Sequence, residues 1–151
     1  MRRATIALAL ATIPLLATLP AWGDAAYHSQ HISLVPVGNA PLRSGFVENA
    51  HANGPNVYAH EQYVLNGAGP RSTYQVTIMI FASNTTCTGS PTLALGTASI
   101  ATNAAGNGSA FHVFTPADAD GLRGMTVSAM WMLSRASTPE YMTACSVIHL
   151  D

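Results

Sequence analysis

The sequence predicts an all-β domain: an antiparallel β-sandwich of about seven or eight short strands with Greek-key connections, a small closed barrel being the nearest alternative. Three observations carry this reading. Turn-forming clusters of Gly, Pro, Asn and Asp recur at intervals of about ten residues. Between them lie β-branched and aromatic residues in period-two alternation. Nowhere does a helical period emerge.

Taken in order, residues 1–25 have the features of a secretory signal peptide. Arg2 and Arg3 precede an apolar run broken by Pro14, and small residues around Gly23 and Ala25 suit cleavage near 23/24 or 25/26. Residues 26–151 then form one domain, with no second apolar run long enough to span a bilayer. Residues 29–36 make the first strand and 38–41 (Gly-Asn-Ala-Pro) a turn. Phe46 and Val47 start a short strand, residues 51–56 form a loop, residues 57–65 the next strand and 66–70 a turn. Residues 73–82 are the clearest strand. Tyr74, Val76, Ile78 and Ile80 share one face and Thr73, Gln75 and Thr77 the other, the pattern of a sheet with one wet side. Met79 and Phe81 interrupt the polar face, so something covers it there.

Residues 83–91 form a loop carrying Cys87. Residues 92–114 are the stretch around which the rest is organised, two strands expected to pair as a hairpin through Asn107-Gly108, a dipeptide that supplies left-handed φ angles. Thr115, Pro116 and Asp118 have the spacing of a helix cap, but Gly121 and Gly124 limit any helix to a turn. Residues 125–133 form a strand with Met125, Val127, Ala129, Trp131 and Leu133 on one face. That places Met130 and Met132 together on the other, to pack against a loop or a partner. Residues 141–150 make the last strand.

Charge excludes several functions. The chain has no lysine, and beyond the leader four arginines stand against seven acids, or −3 after cleavage at Gly23. Such a surface releases few phosphate counterions, so nucleic acid is not an expected partner. Schiff-base and phosphate-loop lysines are absent. No nucleophile elbow is present, and Asp118-Ala119-Asp120-Gly121 lacks the later ligands of a calcium loop.

The two cysteines, Cys87 and Cys145, lie behind an export signal and are expected to form a disulfide. The order Cys87, Trp131, Cys145 resembles that of immunoglobulin-like domains, a likeness of architecture only. Thr143 occupies the place of the tyrosine those domains carry two residues before the second cysteine.

Six histidines in a weakly charged chain raise the question of metal binding. His51, His60 and Glu61 are near in sequence and form one candidate set. His28 forms another: cleavage after Ala25 would place it third from a free amine, an arrangement that suits square-planar copper. His28 and His31, three apart, fall on opposite faces of a strand. The sequence supports first an exported, non-catalytic domain with a binding or structural role and a protein or carbohydrate partner, contacted through the loops at 51–56 and 83–91. An exported copper-binding protein is the second reading.

Overall fold

A computed structural model describes residues 28–51, 59–82, 84–115, 117–118, 121–122 and 124–150. The leader assigned to residues 1–25 and the loop at 52–56 lie outside the described residues. Nine strands follow in order: β1 (His28–Pro36), β2 (Ser44–His51), β3 (His60–Asn66), β4 (Thr73–Phe81), β5 (Leu93–Ala101), β6 (Gly108–Val113), β7 (Thr126–Arg135), β8 (Thr138–Thr143) and β9 (Ser146–His149). Every ladder is antiparallel, and the described residues include no helix.

The strands run β5-β4-β7-β8-β1-β2-β3-β6, with β9 pairing the first half of β7. β1 turns the corner between two layers: His28–Ser33 pair with β2, and Leu34–Pro36 pair with β8. β8 thus returns to lie beside β1, giving the local order 8-1-2-3. One layer is β1-β2-β3-β6 and the other β5-β4-β7 with β8 and β9. Because β1 belongs to both, the sandwich is also a nearly closed barrel. Its last seam, between β5 and β6, carries no ladder but draws tight at one end, where a Cβ on Gly108 would lie 2.6 Å from the Ala101 carbonyl oxygen.

Alternation decides what lies inside. On β4, Tyr74, Val76, Ile78 and Ile80 are buried; on β7, Val127, Ala129, Trp131 and Leu133 are buried; both rows match the sequence reading. Met125 is the exception, preceding β7 and 37% exposed. Ile32, Leu34, Val47, Tyr63, Leu65, Ile100, Tyr141 and Ile148 complete the core. Phe81, on the outer face of β4, is buried as well, as expected of a covered position. The 82–92 connection folds back there, with Thr92 N donating to the Ile80 carbonyl at 2.7 Å and Ala82 N to Thr92 Oγ1 at 3.1 Å.

The expected hairpin at 92–114 does not form. β5 pairs with β4 and β6 with β3, so the six residues between them cross from one layer to the other. Layers stand about 10 Å apart, which six residues span with room to spare. The turn chemistry at 102–107 is real but serves the crossing. Asn103 Oδ1 accepts from Ala105 N at 2.9 Å and Asn107 N at 3.1 Å, and Gly106 N donates to the Asn103 carbonyl at 3.0 Å. Gly106, not Asn107 or Gly108, takes the left-handed conformation, with φ 75°. A turn signal fixes where a chain reverses, not which strand it then joins.

Two further elements differ from expectation. The strand begun at Phe46 extends over eight residues, because both its edges are paired, with β1 and β3. The last strand is broken in two at Ala144 and Cys145. Cys145 is bonded to Cys87, 58 residues earlier. This disulfide ties the β4–β5 connection to the β8–β9 turn, both in the second layer, whereas an immunoglobulin bridge joins strands of facing sheets.

Candidate functional site

Among the described residues one carboxyl group, that of Glu61, is fully buried, and the alternation of β3 puts it there. Glu61, Tyr63 and Leu65 occupy successive inward positions, and all three are fully buried. Asn49 Nδ2 on β2 donates to Glu61 Oε1 at 2.6 Å. Tyr63 donates its phenol proton to Glu61 Oε2 at 2.5 Å, and Trp131 Nε1 on β7 donates to the same oxygen at 2.8 Å. The Tyr63 oxygen also lies 2.7 Å from Thr97 Oγ1 on β5, whose hydroxyl proton it can accept. The cluster therefore ties Asn49, Glu61 and Tyr63 of one layer to Thr97 and Trp131 of the other.

Burial pushes the Glu61 carboxyl up to about 7, against the opposing pull of the donors from Tyr63, Trp131 and Asn49. Tyr63 is pushed up by burial and by the adjacent Glu61 charge. Asn49 Oδ1 is buried with no partner. Turning that amide over would give a protonated Glu61 Oε1 an acceptor, so the same five side chains can house the neutral acid. His112, the register partner of Glu61 across β3–β6, packs its ring edge-on to Phe114 at 4.6 Å and keeps Nε2 buried without a partner.

A second polar cluster closes the opposite end of the barrel. Gly69 N donates to Tyr74 Oη at 3.1 Å, Tyr74 donates to Glu140 Oε2 at 3.1 Å, and Arg135 Nε donates to Glu140 Oε1 at 2.6 Å. Tyr141 donates to the Pro41 carbonyl at 2.8 Å. Burial and the contact with Tyr74 push the Tyr141 phenol up, and the hydrogen bond to Glu140 holds the Arg135 guanidinium protonated. These bonds pin three chain reversals.

A concave feature of the surface lies where β1 leaves β2 for β8. A groove of about 850 Å³ runs there, lined by Gln30, Ser33, Val35, Val37, Met142 and Val147 among others. Over His28–Ser33, β1 has a strand partner on one edge only, β2. β9 is held near the other edge through Gln30 Nε2, which donates to the Val147 carbonyl at 3.0 Å. No Asp, Glu, Lys or Arg lines the groove, and no Phe, Tyr or Trp. Val35, Val37 and Val147 are exposed along it, Val35 by 54%.

The candidate metal residues are distributed as follows. His28 and His51 are register partners across β1–β2. His60 points outward, edge-on to Phe111 at 6.4 Å, while the next residue, Glu61, points inward, so strand geometry sends the two to opposite faces. His31 Nδ1 meets Glu48 Oε2 at 3.0 Å on the outer face, over Phe46. His149 Nδ1 meets Thr126 Oγ1 at 3.1 Å. Among the described residues no three His, Cys, Asp or Glu side chains converge. Of the two contact loops, 83–91, described from residue 84 on, is shaped by Asn84, whose Oδ1 accepts from Thr86 N at 3.2 Å and whose Nδ2 donates to the Thr88 carbonyl at 3.1 Å.

Glu61 is a candidate ligand by its carboxylate, and the fold buries it instead. The signal was available: Glu61 is in phase with Tyr63 and Leu65. The groove gave no local signal, since β1, β8 and β9 meet only in the fold. No protein-family model, curated protein or solved structure matches this chain.

Proposed function

We propose that this is an exported, non-catalytic binding domain that takes an extended, uncharged segment of a partner protein into the groove between β1 and the β8–β9 turn. The observation that carries the reading is the half-open edge of β1 at the floor of a groove that mixes valines with His31, Gln30 and small hydroxyl residues and holds no carboxylate, lysine or arginine. An extended peptide adds there as a further strand, with main-chain hydrogen bonds for affinity and alternate side chains lying against Val35, Val37 and Val147. Without aromatic platforms or carboxylates, the groove favours polypeptide over sugar. The disulfide is compatible with export, and no helix among the described residues is long and apolar enough to cross a membrane. The Glu61 cluster, with both carboxyl oxygens engaged by protein donors, serves as the tie that holds the layers in register.

The test is a titration with an alternating valine–threonine peptide of about eight residues, followed by amide NMR shifts. Shifts confined to residues 30–37 and 144–147, and abolished by V35D, support the reading. No binding at millimolar peptide, or shifts centred instead on the other open edges at 93–98 and 110–113, overturn it.

A further inference from the structure

The outer face of the first layer carries a feature that neither the groove nor the Glu61 cluster explains. Across β6-β3-β2-β1 the ladders bring four residues into one line. Phe111 is the register partner of Gln62, Gln62 of Glu48, and Glu48 of His31. Directly opposed residues share a face, and this line faces outward, because Ile32, Val47, Asn49, Glu61 and Tyr63, which alternate with it, are buried. Strands about 4.8 Å apart put roughly 14 Å between its ends. The line is open to solvent. Gln62 is exposed, Phe111 is 69% exposed, and the side chains of His31 and Glu48 keep 58% and 35% of their surface.

Read along the sheet, the line is an aromatic ring, an amide, a carboxylate and an imidazole. Phe111 is the one aromatic side chain left so open among the described residues, with His60 edge-on to it at 6.4 Å. It gives the ligand a flat apolar platform. The Gln62 amide both donates and accepts, and the Glu48 carboxylate accepts through two oxygens. Charge narrows the ligand further. Among the described outward positions of these four strands there is no arginine or lysine, and the one acid, Glu48, is held by His31 at 3.0 Å. A face so balanced has no cation to draw an anion and no free carboxylate to draw a cation, and it matches an uncharged ligand. It does not suit a polypeptide strand, since β2 and β3 are paired on both edges and have no main-chain groups left to offer. A pyranose ring meets every requirement: its C–H face lies on an aromatic ring while its hydroxyls, in the ring plane, reach amide and carboxylate.

We propose that Phe111, Gln62, Glu48 and His31 form a binding row for an uncharged, linear oligosaccharide lying across β6-β3-β2-β1. The row shares only His31 with the groove, so it stands or falls apart from the proposed function.

The test titrates the protein, labelled with nitrogen-15, with three uncharged β-linked hexasaccharides, cellohexaose, mannohexaose and xylohexaose, and with a galacturonate hexamer of the same size as the anionic control. The expected result is that at least one uncharged hexasaccharide at millimolar concentration shifts the amides of residues 46–50, 60–64 and 109–113, with the Gln62 side-chain amide among them, while the galacturonate hexamer moves none of these. Phe111→Ala, at an exposed position, then binds at least about tenfold more weakly with core signals unchanged. Phe111→Trp, which restores a platform, binds at least as well as the parent, and V35D leaves the affinity as it was. The proposal is overturned if none of the three uncharged sugars moves these signals, if the anionic hexamer binds equally well, if Phe111→Ala binds as tightly as the parent, or if the valine–threonine peptide moves this face and the sugars do not.

Discussion

Replacing Glu61 by Gln gives the sharpest test of the interior. The carboxyl lies at about 7 in the folded protein against an ordinary value of 4.5. Between those two values the native state holds a proton that the unfolded chain has lost. Stability therefore falls as pH rises through this range and levels off above it. The full difference is worth about 3 kcal/mol at 1.36 kcal/mol per pH unit, a large share of the roughly 5–15 kcal/mol that holds a domain together. Asp118, held low chiefly by its bond from the Thr115 backbone N–H, acts below this window, and the phenols of Tyr63 and Tyr141 act above it. Urea unfolding followed by Trp131 fluorescence, from about pH 4 to about pH 8, reads the effect directly. The wild-type chain should lose about 3 kcal/mol across the series. E61Q should be nearly level, because the amide keeps the acceptor for Tyr63 and Trp131 and its own N–H₂ can face Asn49 Oδ1 once that amide turns. E61L should instead lose roughly 3–6 kcal/mol at every pH, since it strands three buried donors. A wild-type chain that gains stability over this range, or an E61Q variant with the same slope, would refute the reasoning.

Other consequences are open to measurement. Gly106→Ala places a Cβ against the Ala68 carbonyl at φ 75° and should cost roughly 2–4 kcal/mol in urea unfolding, whereas Gly89→Ala, also at positive φ but with nothing within 4 Å, should cost about 1 kcal/mol. Removing the disulfide with Cys87→Ala and Cys145→Ala frees a loop of 58 residues and should lower stability by about 4 kcal/mol; a change below about 1 kcal/mol would show that the unfolded chain is not entropically constrained by it. V35D, at an exposed position, should leave the urea midpoint within about 0.5 kcal/mol of the parent while abolishing peptide binding.

What the sequence made legible, and what it hid, follows from the range over which each signal acts. Alternation is local, so the inward rows of β4 and β7 could be read residue by residue, and Met130 and Met132 could be placed opposite Trp131. The same rule applied to Glu61 would have put it inside, but an acid on an apolar face reads as an error until its donors are found, and these come from Asn49, Tyr63 and Trp131, the last 70 residues away. Pairing is not local. Asn107-Gly108 announced a reversal, yet the partners of β5 and β6 are settled by whole-strand burial, which rewards β4 and β3 more than a ribbon of two strands could. The groove belongs to this second kind. Val35 and Val147 lie 112 residues apart in sequence and line one groove only because β1 runs beside β8. The surface on which the proposed function rests therefore depends on strand order. A variant that loosens the β7 ladders, such as Ala129→Pro in the strand interior, should abolish peptide binding together with a large loss of stability in urea, while V35D abolishes binding and leaves stability as it was.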